Sequence, residues 1–187
     1  MVTIKESWLD SNYGDLYKKG AGYKLSIHDL ARITLEQSDN TALNGIQDII
    51  RPYVSTNSPN SAYSALDVEF TDSSSTDLQL SARSYTSFLK CLYFACYLST
   101  DSSQEIMNYL THSTEGKTNK IKKYLPKNVT VAHKIGVAGN MSQADCGVVY
   151  VPNRNYVLCV MLEETEDRGS EVIAQISKKV YDYVDTL

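Results

Sequence analysis

Three consecutive polar residues, Ser38-Asp39-Asn40, separate two stretches that each repeat apolar residues at helical spacing. No other feature constrains the chain as much. Upstream, Ser26 and Asp29 make a capping box, and Ile27, Leu30, Ala31, Thr34 and Leu35 recur with the helical period. Downstream, Ala42, Leu43, Ile46, Ile49 and Ile50 repeat the pattern. Pro52 should end it, because the residue before a proline is pushed out of the α region. The tripeptide therefore lies at a tight helix–helix junction, either capping the second helix or pointing into a cleft.

The remaining segments follow from composition and period. Met1 to Tyr23 reads as a surface segment, with Gly14, Gly20 and Gly22 marking turns. Tyr53 to Asn60 reads as a loop, Ala62 to Leu66 as one helical turn, and Thr71 to Asp77 as a solvated polar run. Ser81 to Leu98 is the best long helix, with Ala82, Tyr85, Phe88, Leu89, Leu92, Ala95 and Cys96 on one stripe. Ser102 and Glu105 form a second capping box ahead of Ile106, Met107 and Leu110. Lys117, Lys120, Lys122, Lys123 and Lys127 read as a solvated connecting face. Strand patterns cover 129–135, 144–151 and 156–162, the last two joined by a hairpin turn at Pro152-Asn153-Arg154-Asn155. Gly169-Ser170 opens a final helix through Leu187. The expected architecture is α/β with α+β layering: a helical lobe, an antiparallel three-strand meander and a C-terminal helix.

Charge and length exclude several classes. A net charge of −4 with no basic stripe argues against nucleic acid, and no apolar run approaches the roughly 20 residues of a membrane span. No signal peptide is visible in the first residues. Cys91, Cys96, Cys146 and Cys159 lack zinc-ligand spacing, so no metal and no cofactor is expected. Buried free thiols are the favoured reading, and a Cys146–Cys159 bridge across adjacent strands is the alternative.

The second informative stretch is His133-Lys134-Ile135-Gly136, with Lys134 standing 134 − 38 = 96 residues after Ser38. It opens a strand pattern that continues in Ala144-Asp145-Cys146-Gly147-Val148-Val149-Tyr150. Ser-Asp-Asn followed by Lys-Thr-Gly is part of the motif set of class A β-lactamases and penicillin-binding proteins, and the chain resembles that serine hydrolase family over nearly its whole length. The resemblance implies a β-lactamase/transpeptidase-like domain over 1–187, with a mainly helical region to 127 and the meander with its closing helix from 128. It also implies acylation of a serine by a β-lactam or peptidoglycan-like amide, in an extracytoplasmic setting. Ser38 is then the proton relay to the departing nitrogen, and Lys134 the positive charge beside it. Asn40 is the donor to the substrate carbonyl, Gly136 allows the strand to approach the ligand, and Asp39 is structural.

Three departures accompany the resemblance. Ile135 stands where the family has Thr or Ser. Glu69 is the sole Glu between Asn40 and Glu105, without the family's loop pattern around it. The family's Ser-x-x-Lys belongs before Val2, and the literal match Ser87-Phe88-Leu89-Lys90 falls in the wrong order. Residues 1–187 alone are therefore expected to be inactive and incomplete at the N-terminus. An open sheet edge should then be completed by self-association or by an N-terminal piece. The alternative is a noncatalytic relative serving as a binding or structural module.

Overall fold

The computed structural model describes residues 1–54, 80–114, 120–139 and 141–187. The readings made for the loop beyond Val54, for Ala62 to Leu66, Glu69 and Thr71 to Asp77, and for Lys117 lie outside these residues. A two-stranded pair, β1 (Val2–Thr3) with β2 (Lys24–Leu25), precedes helices α1 (Ile27–Gln37) and α2 (Asn40–Val54). Helices α3 (Ala82–Tyr93) and α4 (Thr100–Thr111) complete the lobe. The antiparallel meander β3 (Thr130–Ala138), β4 (Ser142–Tyr150) and β5 (Tyr156–Glu163) follows, closed by α5 (Glu166–Asp185). This is the expected layering of helical lobe, three-strand sheet and C-terminal helix.

The lobe and the sheet each hold a core. Ile121, Val131, Val149, Val151 and Ile173 fill the space between the sheet and α5. On the opposite sheet face, Ala132 and Val148 pack with Leu92, Met107 and Leu110 from α3 and α4. The third cluster corrects the reading of Met1 to Tyr23 as surface. Ile4 is 1% exposed and Trp8 4%, packed with Leu16, Leu25, Leu30 and Ala42. Four apolar residues spread over 22 positions have no period, so only the tertiary fold brings them together. Asp48 anchors the segment by accepting from Trp8 Nε1 at 3.0 Å and from Lys5 Nζ at 2.7 Å.

Several boundaries differ from expectation for identifiable reasons. Ser26 caps α1 as read, accepting from the Asp29 N–H at 2.9 Å. α2 continues past Pro52 to Val54, because a proline in the last turn removes a single bond to the carbonyl four residues earlier. α3 stops at Tyr93 rather than reaching Leu98: Ala95 takes φ 51°, and a Cys91–Cys96 disulfide closes the turn. α4 begins at Thr100 because Ser99, not Ser102, accepts from the Ser102 N–H at 3.2 Å. α5 begins at Glu166 rather than beside Gly169, with Glu166 and Asp167 in its first turn. Carboxylates there complement the exposed N–H groups. The favoured reading of the cysteines is also corrected. All four are bridged, and Cys146 and Cys159 stand directly opposite one another on β4 and β5.

The α1–α2 junction rests on Asp39, which is completely buried. Its Oδ1 accepts from the Ala42 N–H at 2.9 Å, capping α2, and its Oδ2 accepts from the Leu16 N–H at 2.8 Å. Gly14 permits this approach. It takes φ +80°, and a Cβ built there would stand 2.0 Å from Asp39 Oδ2. The cap contributes about 1 kcal/mol, and leaving the Leu16 donor buried without a partner costs about 1–3 kcal/mol more. Asp39→Ala is therefore expected to lower unfolding free energy by about 2–4 kcal/mol in urea titration; a loss below 1 kcal/mol would refute this role.

Candidate active site

Ser38 ends α1 in the left-handed region, φ 45° and ψ 33°. That single residue reverses the chain between α1 and α2 and lifts its hydroxyl out of the helix toward the sheet. On β3, side chains alternate between faces, so Lys134 points to the lobe side while His133 and Ile135 point toward α5. The two elements meet where Lys134 Nζ donates to Ser38 Oγ. Lys134 Nζ also lies 3.1 Å from its neighbour's carbonyl, Ile135 O. Burial pushes the Lys134 ammonium down to about 8, while the carboxylate of Asp145 pulls it back up.

A cleft of about 530 Å³ opens at this contact, lined by Ser38, Asn40, Lys134, Gly136, Lys120 and Glu166 among others. All four residues singled out from the sequence border it. Asn40 begins α2, and its backbone N–H donates to Tyr13 O at 3.1 Å. Its side chain reaches the Asp10 carboxylate; a hydrogen bond from the Asn12 backbone and then this one hold Asp10 below the usual range. At Gly136 an added Cβ would meet only the Ala144 methyl, at 3.5 Å, which is ordinary contact. Packing within the described residues thus leaves room for a side chain at this position, on the wall of the cleft. Ser87 and Lys90 line neither this cleft nor the two neighbouring cavities.

Lys134 also borders both of those cavities. One, about 620 Å³, lies over the sheet face at Cys146 and Met161. The other, about 450 Å³, is walled by Leu35, Phe88, Leu92, Leu98, Ile106 and Leu110. Ser103 is buried on that second wall, and its Oγ has no hydrogen-bond partner. Tyr85 lies between the two cavities, with burial first and Asp145 second pushing its phenol up to about 12.

Two features of the surroundings escaped the sequence. Lys120 is not part of a solvated run: it is 1% exposed, with Nζ donating to Gln143 Oε1 at 2.8 Å, Ala144 O at 3.3 Å and Gly136 O at 3.5 Å. Burial drives its pKa down, opposed by Asp145 and Glu166. On the α5 side of the sheet, His133 Nδ1 lies 2.9 Å from Asp145 Oδ1, and Asp145 Oδ2 accepts from the Ile121 N–H at 2.9 Å. Strand parity puts His133 and Asp145 on one face, which is the signal that could have found that pair. Lys120 carried no such signal. Among the described residues no group of His, Cys, Asp and Glu could hold a metal ion.

With this geometry in place, comparison with known proteins is decisive at the level of family. Residues 1–184 match the family described as "Beta-lactamase enzyme family". The chain belongs to that family. A "Beta-lactamase" of Bacteroides uniformis is 27% identical over 205 residues, covering 97% of this chain and 69% of that protein. "Beta-lactamase BRO-1" of Moraxella catarrhalis is 26% identical over 108 residues, 54% of this chain and 34% of that one. Among solved structures, PBP-A in an acyl-enzyme complex with penicillin G superposes with TM-score 0.83 at 24% identity, over 99% of this chain and 71% of its own. A class A beta-lactamase from Bacteroides cellulosilyticus gives 0.82 at 23%, over 100% and 74%. At these identities the structural likenesses show the fold alone.

The buried ammonium makes a pH prediction. An unfolded lysine titrates near 10.4, above the native value of about 8. Between those values the unfolded chain holds a proton that the native chain has released, so the Lys134 contribution makes stability rise with pH across that window. NMR titration of the Lys134 side chain, assigned through Lys134→Arg, should give a midpoint near 8. A midpoint near 10.4 would refute the buried contact.

Proposed function

We propose that these residues form the leaving-group and carboxylate-binding side of a serine acyl-transfer site of the class A and penicillin-binding type. The contact between Ser38 and Lys134 carries this reading. In the reaction, a serine hydroxyl from a Ser-x-x-Lys segment gives its proton to the base beside it as its oxygen attacks the carbonyl of a β-lactam or peptidoglycan-type amide, and the C–N bond breaks. The departing nitrogen takes the Ser38 proton, and Ser38 takes a replacement from Lys134. A hydroxyl suits that place because it both donates and accepts. The Lys134 charge attracts the substrate carboxylate, the Asn40 amide donates to the substrate carbonyl on leaving Asp10, and Gly136 keeps the strand open to the ligand.

The attacking segment is not among the described cleft residues, and the apolar 450 Å³ cavity beside Lys134 suits an apolar helix carrying it. Residues 1–187 alone are expected to be inert. Two disulfides fit an oxidising, extracytoplasmic compartment.

A second reading, a noncatalytic binding or structural module, has one observation in its favour. Ile135 is buried and apolar at the position where relatives of this type carry a hydroxyl. Losing one hydrogen bond to a charged carboxylate costs about 1.5–3 kcal/mol, or tenfold and more in binding.

Fluorescent penicillin separates the two. Joined to an upstream Ser-x-x-Lys segment of a relative, the chain should be covalently labelled, and Ser38→Ala or Lys134→Ala should slow labelling at least a hundredfold, the usual scale for a lost proton-transfer group. The 187-residue chain alone should take no label. Absence of label in the joined protein favours the binding module, and label on the isolated chain would overturn the assignment of the attacking group.

A further inference from the structure

The cleft carries charge of both signs, and the negative one has no task in the reaction proposed above. Glu166, in the first turn of α5, is the only carboxylate lining the cleft among the described residues. It is exposed and forms neither a hydrogen bond nor an ion pair with its side chain among them. Of the acids around it, Glu164 pairs with Arg168 at 3.2 Å and Glu171 with Lys123 at 2.7 Å, and Asp167 does not line the cleft.

The cation nearest to Glu166 along the cleft wall does not neutralise it. Lys120 is close enough for the two charges to interact. Its ammonium is nevertheless sequestered, with three donors directed at Gln143 Oε1, Ala144 O and Gly136 O. Those bonds place Lys120 at the Gly136 end of the cleft, and the start of α5 lies at the same end, because Gly169 packs against Gln143, the β4 partner of Val137; Ser38 meets Lys134 farther up the strand. A ligand whose carboxylate lies on Lys134 therefore extends past Gly136 toward an unpaired negative charge. The α5 N-terminus stabilises that charge where it stands.

We infer that Glu166 is a specificity-determining residue, selecting ligands that carry a cationic group beyond the carboxylate held by Lys134. The substrate class is then zwitterionic, such as a cephalosporin bearing a quaternary ammonium, in preference to the purely anionic counterpart. This rests on the carboxylate-docking role of Lys134 in the function proposed above. Two opposite charges separated by several ångströms at a wet cleft rim are worth about fivefold in affinity, and added salt weakens the effect.

The test titrates the 187-residue chain, by ligand-observed NMR at low salt, with two cephalosporins that differ only in a quaternary-ammonium or neutral substituent. The cationic compound should bind about fivefold tighter. In Glu166→Gln that ratio should fall to about one, and in Glu166→Lys it should invert; 0.5 M salt should compress all three ratios toward one. Lys134→Ala should weaken both compounds. If both bind, depend on Lys134 and keep the same ratio in Glu166→Gln, the inference about Glu166 is overturned while the function proposed above stands. If neither compound binds, or neither responds to Lys134→Ala, the underlying reading of the cleft falls, and this inference with it.

Discussion

The Ser38–Lys134 contact depends on a turn that leaves no slack. Ser38 adopts a backbone conformation that costs a non-glycine residue energy, and the next residue buries its carboxylate completely. What compensates both is the pair of backbone donors on Asp39, one from α2 and one from the Leu16 segment. A charge-assisted bond at each oxygen fixes the carboxylate, and the carboxylate fixes the junction. The first 25 residues are therefore not an appendage: their close approach at Gly14 and the Leu16 donor hold Ser38 in position. From there the hydroxyl meets a lysine 96 positions later.

Legibility of the chain followed the range of the forces involved. Ser38, Asp39 and Asn40 stood out because a polar break between two periodic stretches is a local signal, and capping chemistry narrows its reading. Lys134 and Gly136 were found through motif order, and alternation along β3 then gave the facing side. Ser26 capped as expected for the same local reason. What escaped was set by contacts distant in sequence. Ile4, Trp8 and Leu16 have no shared period, yet they pack on one another. The cysteine stripe of α3 looked helical to its end, but a covalent closure between Cys91 and Cys96 overrides propensity. Lys120 looked like its half-buried neighbour Lys122 and the exposed Lys123, because nothing in a lysine-rich stretch reveals which ammonium finds three oxygens.

The electrostatics of the sheet connect these surprises. Asp145, buried on the α5 side, is held by His133 and the Ile121 N–H. Its charge reaches through the strands to Lys134, Lys120 and Tyr85 and shifts all three in the direction expected of a nearby anion. Burial opposes it at both lysines. The proposed chemistry needs an ammonium that can release a proton yet still attract a carboxylate. A lysine near 8 meets both requirements, whereas a fully solvated one near 10.4 retains its proton more firmly.

Ile135 shows how ancestry and activity separate at a single position. Its side chain points to the α5 face and is buried, so the apolar residue stabilises the core at the place where a hydroxyl would have served a ligand. Burying that side chain contributes about 1.5–3 kcal/mol, comparable to the hydrogen bond forgone. Neither term decides function alone. The balance passes to groups that still border the cleft, the Lys134 ammonium, the Asn40 amide and the Glu166 carboxylate among them, and to how far their combined field can replace a single lost donor.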